Sequence, residues 1–304
     1  MQRRVLSEED IEQFVEKGYV RVPGAFSKQD AELARQFLWD QLEEKAGVLR
    51  DDSSTWRKPM VRLNETYRTP DFDRCNTSRF ADAIEDLLGG GMTANRYVYG
   101  ESDDLPSWGW WPVNFSENAD TAWTVPTSGW HWDGIQFRHY LDAPDQGLLC
   151  LCLFSDIQAH QGGGTLVVEG SHRTVARLLA RYPDGVELKE GIAELFEHHP
   201  YFAELTGHTE GAGDAADRIG RFMHSIYEDE TGDRLRVVET SGEAGDVFLC
   251  HPFLVHAASP NHSGVPRFMC NRTASLKDRI AIRKTPAAEE TPLERSIRLS
   301  LSRL

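Results

Sequence analysis

The sequence predicts a mainly β protein with flanking helices and a sandwich or barrel core. From residue 94 onwards, short apolar segments follow one another with few helical patterns between them, which is typical of such cores. The N-terminal part instead carries helix caps and one-sided apolar periodicity. Because 304 residues with 40% hydrophobic content can bury a large core, we expect one domain over residues 1–304.

The N-terminal part, residues 7–90, is predicted to be helical. Ser7 precedes three acidic residues and Ser27 precedes a second amphipathic segment, so both are candidate N-caps. Glycine residues end these two helices, and a third helix is expected over residues 80–88. Residues 51–79 have an irregular pattern rich in both charge signs, to which no regular element is assigned.

Seven short apolar segments predict the strands of the core. They cover residues 94–99, 111–115, 148–154, 165–169, 235–239, 246–250 and 268–274. The helical, acid-rich residues 174–230 interrupt this series, and we interpret them as an insertion that covers a cavity as a lid. Thr291 opens a capping box that predicts a C-terminal helix over residues 291–303, whose apolar face is compatible with a homodimer.

The charge balance excludes several classes of partner. The chain has 48 acidic against 33 basic residues, a formal net charge of −15, and such a field repels phosphate backbones and anionic lipids. We therefore expect no nucleic-acid partner. No apolar run reaches the roughly 18 residues of a membrane span and no apolar signal region opens the chain, so we expect no membrane association and a cytoplasmic location.

A histidine and a carboxylate two residues apart form the first candidate site. On an extended strand His131 and Asp133 would project from the same face. Two histidines and one carboxylate suit iron(II) and leave positions open for a cosubstrate and oxygen. The second histidine is either His251 or His256. We choose His256 because Arg267, eleven residues later in an apolar strand, needs an anion such as a dicarboxylate cosubstrate.

These residues and several flanking motifs resemble one family. The flanking motifs are Leu6-Ser7-Glu8-Glu9, Gly18-Tyr19-Val20, Val22-Pro23-Gly24, Gly163 to His172, and Gly245-Asp246. Over most of residues 5–275 the chain resembles the phytanoyl-CoA dioxygenase family of iron(II)- and 2-oxoglutarate-dependent oxygenases. The resemblance implies a double-stranded β-helix (jelly-roll, cupin-like) core with helices packed outside it.

The resemblance also implies a reaction and a set of ligands. O2 would be split while 2-oxoglutarate is decarboxylated to succinate and CO2. His131, Asp133 and His256 would hold iron(II), and Arg267 would bind the distal carboxylate of 2-oxoglutarate. Relatives often have Gly-Ser after the distal histidine, whereas this chain reads Ala257-Ala258-Ser259. A hydroxyl partner for that carboxylate is therefore either displaced to Ser259 or absent.

Aromatic and basic residues near these motifs are candidates for further contacts. Six of the eight tryptophans lie between residues 108 and 132. Trp111, Asn114 and Trp123 are candidates for a substrate site, with Asn114 also a candidate for cosubstrate binding, and packing in the core is the alternative. Basic residues that could bind an anionic substrate have acidic neighbours, which favours a solvated mixed-charge face; they are Arg57, Lys58, Arg62 and Arg68.

The carboxylate at residue 133 bears on the reaction type. Halogenases similar to this family replace that carboxylate by a small residue to make room for chloride. Its presence predicts hydroxylation, or a related oxidation, at an unactivated C–H bond of a small organic molecule, as in specialised metabolism. Desaturation, epimerisation and ring formation remain open. A different class, a non-catalytic metal-binding β-barrel that senses or carries a ligand, has no need of a buried cation at Arg267.

Overall fold

The computed structural model describes residues 3–94, 108–157, 161–208, 215–282 and 289–302. The predicted strand at residues 94–99 lies outside these ranges except for its first residue. Within them, no helix is both long and apolar enough to cross a bilayer.

Helices occupy the N-terminal part, the stretch between two core strands and the C-terminus. In chain order they are α1 (Glu8–Lys17), α2 (Lys28–Ala46), α3 (Pro70–Arg74), α4 (Ser78–Leu88), α5 (Ser171–Ala180), α6 (Leu188–His198), α7 (Pro200–Leu205), α8 (Ala215–Ile219) and α9 (Pro292–Leu301). A 3-10 turn at Ser53–Thr55 and a π-helical turn at Gly220–His224 supplement them. The predicted caps at Ser7 and Ser27 are confirmed, since each hydroxyl accepts a backbone N–H three residues later.

The strands form antiparallel sheets. In chain order they are β1 (Tyr19–Val22), β2 (Met60–Leu63), β3 (Thr93–Ala94), β4 (Trp111–Asn114), β5 (Leu148–Leu153), β6 (Leu166–Glu169), β7 (Tyr227–Glu228), β8 (Arg234–Glu239), β9 (Val247–Cys250), β10 (His256–Ala257) and β11 (Met269–Leu276). A five-stranded sheet has the order β1-β9-β5-β11-β3, a four-stranded sheet the order β10-β6-β8-β7, and β2 pairs with β4.

A buried apolar cluster joins the two larger sheets. It includes Leu149, Leu151 and Leu153 of β5, Val167 of β6 and Phe248 of β9. The leucines alternate along β5, so they share one face of the strand. Every residue of β5 is buried, because the helices cover its other face through a second and larger cluster. The mainly β prediction with flanking helices is confirmed.

Two local predictions were wrong. Residues 51–79 are not irregular throughout, since they contain β2 and α3. His131 and Asp133 do not lie on a regular strand: His131 forms an isolated bridge and Asp133 lies in a bend. Trp132 between them is nevertheless fully buried, and its indole N–H donates to Nδ1 of His139 at 3.3 Å. The side chains therefore still alternate, although the backbone lacks a strand partner at Asp133.

The C-terminal helix α9 packs on its own chain. The predicted capping box is present, with Thr291 and Glu294 bonded reciprocally through side chain and backbone. Its apolar residues Leu293, Ile297 and Leu301 are buried in the main core, where α9 contacts α1, α4 and α5. This face is thus covered within the chain, so it does not support the homodimer prediction.

Truncating Ile297 tests this packing. We expect Ile297→Ala to lower the free energy of unfolding by about 2–5 kcal/mol, because the side chain is fully buried and would leave a cavity. Denaturant unfolding measures the change. Leu299→Ala, at a partly buried position of the same helix, is the control and should cost less. Equal losses would contradict the placement of Ile297 in the core.

Candidate active site

Two histidines far apart in the sequence are joined through their backbones. The His131 N–H donates to the carbonyl of His256 at 3.0 Å, and the His256 N–H donates to the carbonyl of His131 at 2.8 Å. His256 is held in turn by β10, which pairs with Val167 of β6. The centroids of the two imidazole rings lie 4.5 Å apart. The sheet therefore fixes both rings on one side of the same bridge.

Both imidazole rings present the same nitrogen to the centre of the site. Nδ1 of His131 lies 2.7 Å from the carbonyl of Gly129, and Nδ1 of His256 lies 3.0 Å from the carbonyl of Leu254. Because a carbonyl only accepts, each Nδ1 carries the proton and each Nε2 keeps a free lone pair. Nε2 of His256 is buried and has no hydrogen-bond partner. Such an orphaned lone pair suits a metal ligand.

Asp133 faces both lone pairs. Its Oδ1 lies 3.5 Å from Nε2 of His131, and its Oδ2 lies 3.7 Å from Nε2 of His256. Ligand atoms of the three side chains lie within 4.8 Å of one another, as a shared metal ion requires. Two imidazole nitrogens and one carboxylate oxygen are the ligand set that non-haem iron(II) takes, so the residues fit the predicted metal.

The pKa directions describe how the three ligand candidates interact. Burial alone would raise the pKa of Asp133, but attraction to His256 and a hydrogen bond with His131 outweigh it and lower that pKa. Burial lowers the pKa of His256, which favours the neutral ring that a metal needs. For His131, burial is outweighed by the hydrogen bond to Asp133, and its pKa is raised.

His251, the alternative ligand, lies elsewhere. Its ring packs against Phe14, His172 and Phe253, with centroid distances of 5.9, 4.8 and 5.1 Å. Its Nδ1 accepts the backbone N–H of Phe253 at 3.2 Å. Burial lowers the pKa of His251 far below its ordinary value, so the ring is neutral. The fold brings His256, and not His251, to the other two ligand candidates.

Arg267 places a guanidinium in the interior. The residue is 3% exposed, its Nε has no hydrogen-bond partner, and it forms no ion pair with any described residue. Burial lowers the pKa of the guanidinium to about 10. Its backbone pairs in both directions with Asn114 of β4, at 2.8 and 3.1 Å. A buried guanidinium is costly unless an anion meets it, so its surroundings suit a ligand carboxylate.

Asn114 and Ser259, the other two predicted cosubstrate contacts, are bonded within the protein. The Asn114 amide donates to the carbonyl of Ser259 at 3.0 Å and accepts from the N–H of Glu117 at 3.0 Å. The Ser259 hydroxyl lies 3.4 Å from Oε1 of Glu239. Both side chains therefore fix the loop that follows His256, next to the strand pair that carries Arg267.

Glu239 is a buried carboxyl that the sequence reasoning missed. It accepts the backbone N–H of Gly164 at 3.0 Å and that of Gln161 at 3.2 Å. Burial raises its pKa to about 7. The alternating exposure of β8 places it on the buried face, so the period-two pattern could have found it. A Cβ on Gly164 would lie 2.2 Å from the carbonyl of Thr240, which explains the glycine at this turn.

A cavity of about 570 Å³ opens beside the metal-ligand candidates. His131 and Asp133 form part of its wall, together with Trp111 of β4 and residues of β11. Helix α6, within the predicted insertion, lines it with Leu188 and Ile192. Trp123 is not among the lining residues, and its indole N–H donates to the carbonyl of Pro260 at 3.1 Å. Of the two tryptophan candidates, the structure places only Trp111 at the cavity.

The architecture and the ligand group define a class of protein. Two histidines and a carboxylate within a double antiparallel sheet are typical of jelly-roll non-haem iron enzymes. The family model described as phytanoyl-CoA dioxygenase (PhyH) matches residues 14–269, and the chain belongs to this family. No curated protein matches the chain by sequence.

The chain is also similar in architecture to several solved structures. HygX from Streptomyces hygroscopicus, solved with nickel and 2-oxoglutarate, has 14% identity and a TM-score of 0.50, covering 90% of this chain and 88% of its own. EctD from S. alaskensis, solved with 2-oxoglutarate and 5-hydroxyectoine, has 17% identity, coverages of 91% and 78%, and a TM-score of 0.49. The epimerase SnoN, solved with Fe³⁺, alpha ketoglutarate and nogalamycin RO, has 18% identity, coverages of 88% and 82%, and a TM-score of 0.48.

Family membership confirms several predictions made from the sequence. The chain has the jelly-roll fold of 2-oxoglutarate-dependent oxygenases and is a non-haem iron enzyme that uses iron(II), 2-oxoglutarate and O2. The alternative of a non-catalytic metal-binding barrel has no observation in its favour.

The buried carboxyl of Glu239 should make stability depend on pH. The pKa of Glu239 is about 7 in the folded chain, against an ordinary value of 4.5 that applies to the unfolded chain. Between these two pH values the folded chain holds a proton that the unfolded chain has lost, so the folded chain loses stability as the pH rises. From pH 4.5 to 8 the wild type should lose about 3 kcal/mol relative to Glu239→Gln, which mimics the protonated form. Denaturant unfolding of metal-free protein across this range measures the difference. Parallel profiles would contradict it.

Proposed function

We propose that this protein hydroxylates, or otherwise oxidises, an unactivated C–H bond of a small organic molecule and releases succinate and CO2. The observation that supports this proposal most is the grouping of His131, Asp133 and His256 at the wall of a cavity large enough for such a molecule. In this proposal these three residues hold iron(II). The bound metal supplies oxygen activation coupled to the decarboxylation of 2-oxoglutarate.

The chain's own contribution is binding and orientation. Arg267 binds the distal carboxylate of 2-oxoglutarate, which compensates its buried charge. Asn114 and Ser259 act mainly as positioning residues, because their side chains already hold the loop after His256. The Nδ1–H bonds to Gly129 and Leu254 fix both imidazole rings so that Nε2 faces the metal.

The carboxylate of Asp133 favours hydroxylation over halogenation. It faces Nε2 of both histidines and therefore occupies the ligand position that a chloride would otherwise take. The same ligand set also serves desaturation, epimerisation and ring formation, which the product of the reaction distinguishes.

The insertion supplies one wall of the proposed substrate site. Leu188 and Ile192 of α6 present apolar side chains to the cavity, and we assign α6 the role of a lid that excludes water from the reacting carbon. We also place the enzyme in the cytoplasm, because all five cysteines are free and buried, as in a reducing compartment.

A spectroscopic titration without oxygen tests the metal and cosubstrate assignments together. Metal-free protein with iron(II) and 2-oxoglutarate should develop the visible charge-transfer band of a chelated keto acid. His131→Ala should abolish the band through loss of a metal ligand. Arg267→Ala should weaken 2-oxoglutarate binding by about 2–5 kcal/mol, at least thirtyfold, because a buried charge pair is broken.

Two exposed positions provide matched controls for this titration. His198→Ala and Arg57→Ala remove the same side-chain types at the surface and should leave the band unchanged. Metal binding without a band would contradict the cosubstrate assignment. A band that survives both His131→Ala and Arg267→Ala would contradict the residue assignments.

A further inference from the structure

The cavity beside the metal-ligand candidates contains polar side-chain atoms without partners. The indole N–H of Trp111, the amide Nε2 of Gln146 and the amide Oδ1 of Asn271 are all buried and make no hydrogen bond. Trp111 is 0% exposed and Gln146 is 6% exposed. Each such group costs about 1–3 kcal/mol when it stays unpaired. All three belong to residues that line one cavity, where a ligand would supply the missing partners.

The three groups lie on neighbouring elements. Trp111 is on β4 and Asn271 is on β11. The backbone N–H of Asn271 donates to the carbonyl of Trp110, the neighbour of Trp111, at 3.2 Å. Gln146 directly precedes the Gly147 that bonds to β11 through Ala274. The set offers two donors and one acceptor. A ligand edge with one acceptor and one donor, such as an amide, matches it.

The charged residues of this cavity are mostly basic. Arg62, Lys189 and Arg272 line it, whereas its one acidic residue is the metal-ligand candidate Asp133. Arg272 is already engaged, because it donates to Asn76 and its guanidinium lies 4.9 Å from the rings of Phe80 and Trp108. Two cations therefore remain for a ligand.

The side chains of Arg62 and Lys189 form no ion pair or hydrogen bond with any described residue. Both side chains are exposed, and the two residues line the cavity from β2 and α6 respectively. Arg62 lines the cavity, whereas its neighbours Arg57 and Lys58 do not. In a chain with a net charge of −15, two unpaired cations at one cavity create a local field that attracts anions.

We propose that the substrate is a small organic anion with an apolar body and an amide-like edge. The acidic group, a carboxylate or a phosphate, binds Arg62 and Lys189. The edge meets Trp111, Gln146 and Asn271. The apolar body lies against the apolar side chains that make up most of the lining. This inference rests on the proposed function, since it identifies the substrate class for the same site.

Matched probes test the anion and the edge separately. Hippurate has a phenyl group, an amide and a carboxylate; hippuramide lacks the charge; 4-phenylbutyrate has the same chain length but lacks the amide. N-benzoylaminomethylphosphonate replaces the carboxylate by a phosphonate. Each is titrated calorimetrically, without oxygen, into protein loaded with iron(II) and 2-oxoglutarate.

We expect hippurate to bind at least about tenfold more tightly than hippuramide, which is the charge preference. We expect it to bind at least about threefold more tightly than 4-phenylbutyrate, which is the amide preference. Arg62→Gln/Lys189→Gln should remove the preference for hippurate over hippuramide and keep the preference for hippurate over 4-phenylbutyrate. Gln146→Met should remove the preference for hippurate over 4-phenylbutyrate and keep the preference for hippurate over hippuramide. It should not lower the melting temperature, because the buried amide nitrogen of Gln146 has no partner to lose. Tighter binding of the phosphonate than of hippurate would identify a phosphate as the natural acidic group.

The control removes two charges outside the cavity. Arg57→Gln/Lys58→Gln changes the net charge equally at exposed positions and should keep both preferences. Equal binding of hippurate and hippuramide, a preference that survives Arg62→Gln/Lys189→Gln, or no binding of any probe would overturn the proposal.

The charge-transfer band is recorded for every protein before the titration. A wild type that shows the band but no charge preference refutes only the substrate class, whereas a wild type without the band refutes the proposed function itself. Loss of the band in Arg62→Gln/Lys189→Gln would assign these cations to 2-oxoglutarate and would also overturn the proposal.

Discussion

The reciprocal backbone bridge between His131 and His256 is the constraint on which the site depends. Two hydrogen bonds join residues that lie far apart in the chain, and β10 anchors one of them to the sheet. Each ring is then locked by a carbonyl two residues before it in the chain. Rotamer freedom is therefore removed before any metal arrives, which is how a rigid scaffold lowers the cost of binding.

This arrangement leaves several buried polar groups without a hydrogen-bond partner in the protein. Nε2 of His256, Nε of Arg267 and three polar atoms of cavity-lining residues are buried without partners. Elsewhere some buried charges are paired, as in the contact of Arg177 with Asp233. Other buried polar atoms without a partner, such as Nε1 of Trp108 and the hydroxyl of Tyr201, lie away from the site, so a missing partner marks a ligand position only where a cavity or a metal-ligand group accompanies it.

Much of the local structure could be predicted because its causes are local. A serine or threonine that caps a helix, and a glycine that ends one, act within a few residues of themselves, so the helices beginning at Glu8 and Pro292 were found with their caps. The period-two pattern of β8 could have placed Glu239 on the buried face, but not its contact with the turn at Gly164, which is distant in sequence. The apolar face of α9 was read as a dimer surface because the sequence does not show which surface covers it.

The sequence by itself determined the fold class, the residue types that suit iron and the family, because periodicity, capping and motif spacing are properties of short segments. Only the tertiary structure decided which histidine joins His131 and Asp133, and which of the basic residues near residue 60 faces the cavity. His251 and His256 lie five residues apart on one segment. Their separation into a core ring and a site ring follows from β10 and its pairing with β6, which no local pattern encodes.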